Sequence, residues 1–191
     1  HSIVEFLKNK NIRISVYDSN QSIHDTREKL KGISIANYYD GKLEEKYLKS
    51  IDCIALSPGV DLRNPVLKNA QKNKIPIIND LTLFSNEINQ EKTKVIGVTG
   101  TNGKTTVCKL LEYLFIKAGY KAFAAGNIGF PVLDIKNLNN IDIIILELSS
   151  FQLEIKNQFN FDAGVVLNVT EDHMDRYDTF EHYAKAKYSI L

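Results

Sequence analysis

The chain of 191 residues has no tryptophan, one methionine, four prolines and two cysteines, and its charges nearly cancel at a formal +1. Each shortage excludes something. Two cysteines are too few for a disulfide framework. Cys53 falls in an apolar strand pattern and Cys108 in a helix pattern, so both read as small buried thiols of a reducing compartment rather than as a disulfide or metal site. The charge balance gives no basis for a nucleic-acid or anionic-membrane partner. No apolar run approaches the length of a membrane span, no secretory leader opens the sequence, and the expectation is a cytoplasmic protein. Internal repeats and low-complexity segments are also missing. The length allows one or two domains with a substantial core.

What is present centres on residues 94–106, Lys94-Val95-Ile96-Gly97-Val98-Thr99-Gly100-Thr101-Asn102-Gly103-Lys104-Thr105-Thr106. A short β-branched run reads as a buried strand, a Gly/Thr/Asn loop follows, and residues 105–116 continue at helical spacing. This is the phosphate-cradling arrangement. Glycines let backbone amides turn inward around oxyanions, the helix N-terminus adds partial positive charge, Lys104 reaches outer phosphates, and the Thr105 hydroxyl is placed for a magnesium ion. The usual spacing would put the first glycine at 98, where this chain has Val98; here the first glycine of the loop is Gly100.

Around that loop the chain alternates helix and strand. Residues 2–7 read as a helix and 12–17 as a strand closed by Asp18, which is the second half of a βαβ nucleotide-binding unit without its first strand and glycine loop. The chain therefore reads as a fragment at its start. Residues 51–57 read as a buried strand ending in Ser57-Pro58-Gly59, followed by a helix from Asn64 or Pro65 to Asn73, a strand at 75–78 and a helix from Asp80 to Ile88. Such alternation implies a parallel sheet covered on both faces. The polar stretch 89–93 marks a domain boundary. Residues 141–150 form the most apolar strand, 163–168 a second one, and Thr179 caps a final helix running to Leu191.

Ligands of open α/β sheets sit beyond the carboxyl ends of the strands, where the loop, Glu147 and residues 168–173 converge. Glu147 ends an apolar run and would be a buried carboxylate needing a cation; magnesium with nucleotide phosphates is the natural one, and a strand-end salt bridge is the alternative. His173 has Asp172 and Asp175 beside it, and an imidazole suits manganese and heavier divalents better than magnesium. Asn127 and Gln152 either orient ligand groups or act as loop caps.

Gly100 to Thr106, Gly126-Asn127-Ile128-Gly129, Glu147-Leu148-Ser149-Ser150-Phe151-Gln152-Leu153-Glu154 and Asn168-Val169-Thr170-Glu171-Asp172-His173-Met174-Asp175-Arg176-Tyr177 together resemble the Mur ligases of peptidoglycan synthesis, and the 147–154 run is similar to their D-glutamate-adding branch. The resemblance implies a Rossmann-like UDP-sugar domain at 1–90 and a P-loop ATP domain at 91–191. It implies ATP-dependent ligation of D-glutamate to UDP-N-acetylmuramoyl-L-alanine through an acyl phosphate, with two magnesium ions. By the same resemblance Gly100, Thr101, Asn102, Gly103, Lys104, Thr105 and Thr106 bind ATP, and Thr105 and Glu147 hold metal. Ser57, Asn127, Ser149, Gln152 and His173 serve the substrate. His173 and a carbamylated Lys187 serve a second metal, and Lys104, His173 and Lys187 act in catalysis. A monomer with small-molecule partners is expected. Ser19-Asn20 stands where the family usually has a Thr-Arg or similar pair for uracil. The family's adenine-binding later half and its amino-acid-binding domain have no counterpart before Leu191, which makes the chain, read this way, truncated and inactive alone. Another Mur ligase, a folylpolyglutamate synthase, a P-loop regulatory module and a binding-only fragment are the rival readings.

Overall fold

In the computed structural model, which describes residues 1–19, 23–127, 129–155 and 159–191, the chain divides into two compact units. One comprises His1–Ala55 with Leu62–Ile77, the other Leu56–Asp61 with Ile78–Leu191. Asn20, expected at the uracil contact, and Ile128 of the Gly126 motif lie outside the described residues. No described helix is long and apolar enough to cross a membrane.

The first unit holds α1 (Ser2–Leu7), β1 (Ser15–Asp18), α2 (Ile23–Lys29), β2 (Asn37–Asp40), β3 (Ile54–Ala55) and α3 (Pro65–Lys72). β1 and β2 pair in parallel from Ser15↔Asn37 to Asp18↔Asp40, and Thr26 of α2 donates to the Asp18 carboxylate at 2.7 Å. α3 starts as its sequence requires: Asn64 accepts from the Val66 amide at 2.9 Å, Pro65 occupies the first turn, and Leu67 and Ala70 are buried. Two expectations are corrected here. The 51–57 strand shrinks to two residues, Ile54 half-buried and Ala55 exposed, and Cys53 is exposed rather than buried. The apolar run is too brief to sit deep in a sheet. β2 was missed because Asn-Tyr-Tyr-Asp has no apolar alternation to announce a strand.

The second unit contains α4 (Asp80–Ser85), β5 (Lys94–Thr99), α5 (Lys104–Lys117), β6 (Ala122–Gly126), β7 (Ile143–Glu147), α6 (Ser150–Glu154), β8 (Ala163–Val166) and α7 (Phe180–Tyr188); β4 (Ile77–Ile78) lies at the division between units. Its sheet runs β6-β7-β5-β8, all parallel. Period-two alternation on β7 sends Ile144 and Leu146 into one core with Leu81, Phe84, Leu148, Leu153 and Ile190, and Ile143 and Ile145 into another with Val98, Cys108 and Ala124. This sheet is thus covered on both faces. α4 belongs here, upstream of the polar 89–93 stretch, because Leu81 and Phe84 are among the most deeply buried residues of that core. β8 is an edge strand of alternating exposure. The last helix stops at Tyr188 rather than continuing to Leu191.

Gly97 and Gly164 face each other in the β5/β8 register, and the turn after α7 rests on them. A methyl on Gly97 would lie 2.5 Å from Ile190 Cδ1, and one on Gly164 2.7 Å from the Ile190 carbonyl oxygen. Gly164→Ala must move backbone and is expected to lose about 2 kcal/mol, the usual scale for an overpacked core. Gly97→Ala meets the side chains of Ile190 and Phe161, so trimming Ile190 to valine should relieve it in part but leave Gly164→Ala unrelieved. Urea unfolding of the two double-mutant cycles checks this, and equal coupling to Ile190 at both sites would contradict it.

Candidate phosphate and metal site

The parallel register brings the carboxyl ends of β5, β6 and β7 to one edge: Glu147 is aligned with Val98 on one side and Gly126 on the other. The loop from Gly100 leads straight into α5. Gly103 is the residue before its first turn and sits at φ +83°, a left-handed conformation that a Cβ would strain. No side chain caps that turn. The first amides of a 14-residue helix are therefore free to meet an anion. Lys104 folds back over the loop, donating to the Gly100 and Thr101 carbonyls at 2.8 Å each.

Glu147 is 2% exposed, and among the described residues it forms no ion pair. Its two oxygens accept from the Thr105 hydroxyl at 2.7 Å and the Asn127 amide at 3.2 Å. Gly126, at φ +108°, makes the second contact possible, because a methyl there would run into the Glu147 carbonyl oxygen. That carbonyl instead accepts the Asn127 amide N–H at 2.9 Å. Two neutral donors leave the carboxylate's charge uncompensated, and Glu147 with the Thr105 hydroxyl supplies the oxygen donors a hard divalent cation uses beside phosphate. No group of three or more histidines, cysteines or carboxylates gathers among the described residues. A metal here would draw on few protein ligands, as magnesium at phosphate sites does.

Residues after β8 hold the loop in shape. Asn168 Oδ1 accepts from the Thr101 and Asn102 amides at 3.1 and 2.9 Å, while its Nδ2 donates to the Asn102 carbonyl at 3.1 Å. The Thr101 hydroxyl lies 3.0 Å from Tyr183 Oη and accepts from the Thr170 amide at 3.1 Å. Asn168 was visible as a strand end; its grip on the loop, and that of Tyr183, had no local signal. Lys187, 2% exposed, donates to the Gly100 carbonyl at 2.8 Å, the same oxygen that accepts from Lys104, and lies 4.7 Å from the Tyr183 ring centroid. Burial, and then the nearby Lys104 ammonium, lower its pKa to about 8, with Asp172 opposing.

The remaining expected residues lie at graded removes. His173 adopts φ +56°, with its amide on Asp172 Oδ1 at 2.9 Å, and its ring lies 4.8 Å from Phe151 and 6.5 Å from Tyr183. Ser149 and Gln152 form the capping box of α6, and Gln152, 3% exposed, also donates to Asp80 at 3.2 Å. Ser57 is exposed, its carbonyl accepting the Val60 amide. Thr106 and Asn102 are exposed beside the loop. The structure gathers Gly100–Thr106, Asn127, Glu147 and Lys187, while His173 reaches that group through Tyr183.

Lys187 gives the site a pH signature. Its ordinary value of 10.5 applies when unfolded and about 8 when folded. Between these the unfolded chain binds the extra proton, so stability should rise as pH climbs from about 8 to 10.5; below 8 the cost of burying the cation is constant. Urea midpoints of the wild type minus those of Lys187→Met should increase across this window. A flat difference would place the Lys187 pKa near its ordinary value.

Residues 98–191 match the family model of the Mur ligase middle domain, and residues 1–79 that of the MurD-like N-terminal domain. Among curated relatives, the UDP-N-acetylmuramoylalanine–D-glutamate ligase of Buchnera aphidicola subsp. Schizaphis graminum is 41% identical over 99% of this chain. That of Shewanella oneidensis is 40% identical over 97%. The chain spans 42% of the length of each. The fold is similar to a UDP-N-acetylmuramate:L-alanyl-gamma-D-glutamyl-meso-diaminopimelate ligase from Neisseria meningitides, with a TM-score of 0.53 and 15% identity over all of this chain and 63% of that one. A murein peptide ligase from Psychrobacter arcticus gives 0.50 and 13% over all of this chain and 44% of the other.

Proposed function

This chain belongs to the Mur ligase family, and we propose that it serves an ATP-dependent ligase that joins D-glutamate to UDP-N-acetylmuramoyl-L-alanine in peptidoglycan precursor synthesis. The observation that carries the reading is the buried Glu147 carboxylate 2.7 Å from the Thr105 hydroxyl, at the open start of α5. The named activity of the relatives supports the choice of substrates. The first 90 residues are assigned the UDP-sugar and residues 91–191 ATP, in a cytoplasmic monomer.

In this reading the α5 amides and Lys104 hold the ATP phosphates, and Thr105 with Glu147 holds magnesium. The ion, when bound, neutralises phosphate charge and favours transfer. An oxygen of the substrate's terminal carboxylate takes the γ-phosphoryl group as ADP leaves. The D-glutamate amine then attacks the acyl carbon and phosphate departs, a step the free carboxylate resists because it is a poor electrophile. Asn127 and His173 sit where they can orient the acceptor, whereas Ser149 and Gln152 hold the start of α6 that supports it. Lys187, with its pKa lowered to about 8, keeps a larger neutral fraction near neutrality than an ordinary lysine, and only the neutral amine adds carbon dioxide. As a carbamate it would offer oxygens to a second ion alongside His173.

Three substitutions test the reading. In this chain, Lys104→Ala should weaken binding of a non-hydrolysable ATP analogue by about tenfold or more with the circular dichroism unchanged, since among the described residues the Lys104 ammonium donates to two loop carbonyls. In the full-length protein, Glu147→Gln should slow ligation by on the order of a hundredfold. Normal rates at both low and high magnesium would remove Glu147 from the metal site. Full-length Lys187→Ala should be nearly inactive and partly restored by acetate or formate. Undiminished turnover would leave Lys187 a structural lysine, and ADP release that ignores D-glutamate and the UDP-substrate would overturn the ligase assignment itself.

A further inference from the structure

Leu56–Asp61 is a six-residue excursion: the chain before and after it belongs to the first unit, yet these residues belong to the second. One side chain of the second unit reaches this segment from residue 176. Arg176, 10% exposed, donates from Nη2 to the Val60 carbonyl at 2.7 Å and from Nη1 to the Gly59 carbonyl at 3.4 Å. Its Nε lies 3.5 Å from Asp61 Oδ1, and Nη2 3.3 Å from Glu154 Oε2. The guanidinium carbon sits 4.6 Å from the Phe151 ring centroid, the ring that His173 also approaches. Through its backbone, Arg176 donates to the His173 carbonyl at 2.9 Å and so helps close the turn in which His173 holds its left-handed conformation.

We propose that Arg176 is a positioning residue whose guanidinium clasps the 56–61 segment to the loop carrying His173, fixing the Ser57 and His173 sides of the acceptor site relative to each other. The proposal rests on the substrate roles given above to Ser57 and His173. A planar fork suits the task because its acceptors lie in several directions, two carbonyls and two carboxylates, while its face rests on an aromatic ring. Lysine keeps the charge but, as a single ammonium, cannot serve all four acceptors or stack in the same way. A nearly buried guanidinium is tolerable only when its donors are satisfied, and here three of the four satisfying oxygens belong to the 56–61 segment and the fourth to Glu154 of α6.

Arg176→Lys is the test, in this chain, with Asp61→Asn as a milder second variant that leaves the arginine in place. Hydrogen exchange of the Val60 amide, which donates to the Ser57 carbonyl at 3.0 Å, should accelerate about tenfold in Arg176→Lys and less in Asp61→Asn, while Val98 and Thr99 in β5 remain protected. Calorimetry should show UDP-N-acetylmuramoyl-L-alanine binding weakened by about tenfold and ATP-analogue binding unchanged within about twofold. Unchanged exchange of the Val60 amide in both variants overturns the clasp. Equal loss of both ligands overturns the positioning role in favour of general support of the fold, as does accelerated exchange with undiminished binding of the UDP-substrate. A wild-type chain that fails to bind the UDP-substrate refutes the substrate reading instead, and the exchange data then decide the clasp independently.

Discussion

A carboxylate buried at the end of a fully buried strand sets the terms for everything near it. Glu147 closes β7, whose five residues are all buried, and a negative charge in that position is tolerable only with donors or a cation. The surrounding structure supplies donors from the two neighbouring strand ends. Thr105 comes from the helix after β5, Asn127 from the turn after β6, and Gly126 clears the space between them. The parallel register makes this convergence inevitable, since all three strands run the same way and end at one edge.

A second constraint is close backbone approach. The sheet carries paired glycines at 97 and 164 where the turn after α7 lands, and no side chain separates Ile190 from the strands. The same helix carries Lys187, so the depth at which α7 seats decides whether that ammonium reaches the Gly100 carbonyl. Lys104 and the uncapped α5 amides both serve that loop, which is the electrostatic requirement for holding a polyphosphate, while the lowered pKa of Lys187 limits its share of the positive charge.

Several assignments were legible in the linear sequence for identifiable reasons. Gly103 and Lys104 announce their loop because only a few residue types can make a left-handed step into a helix and meet phosphate. β7 is legible because four consecutive apolar positions, Ile143 to Leu146, ended by an acid, have few alternatives to a central strand. Other features fooled the pattern. The 51–57 run is apolar, yet most of it is neither paired nor buried, and Cys53 went with it into solvent. β8 is apolar but lies at an edge, a distinction composition does not carry. Ser149 and Gln152 follow the Ser-x-x-Gln capping spacing, and in the structure each spends its side chain on the other.

The sequence by itself determined the loop, the helix that follows it and the acid at the end of β7, because each rests on local rules: backbone conformations open only to glycine, a helical or strand period, and the types of residue that bind phosphate. The tertiary structure alone decided which distant groups join them. Lys187 sits in a helix where Lys185-Ala186-Lys187 looks like a solvated surface, and only the docking of α7 on two glycines buries one lysine and leaves the other exposed. Asn168 and Tyr183 grip the loop from 66 and 82 residues away, and Arg176 reaches Val60 across 116. Such contacts depend on how strands and helices pack in space, and no periodicity in the chain encodes a partner at those separations.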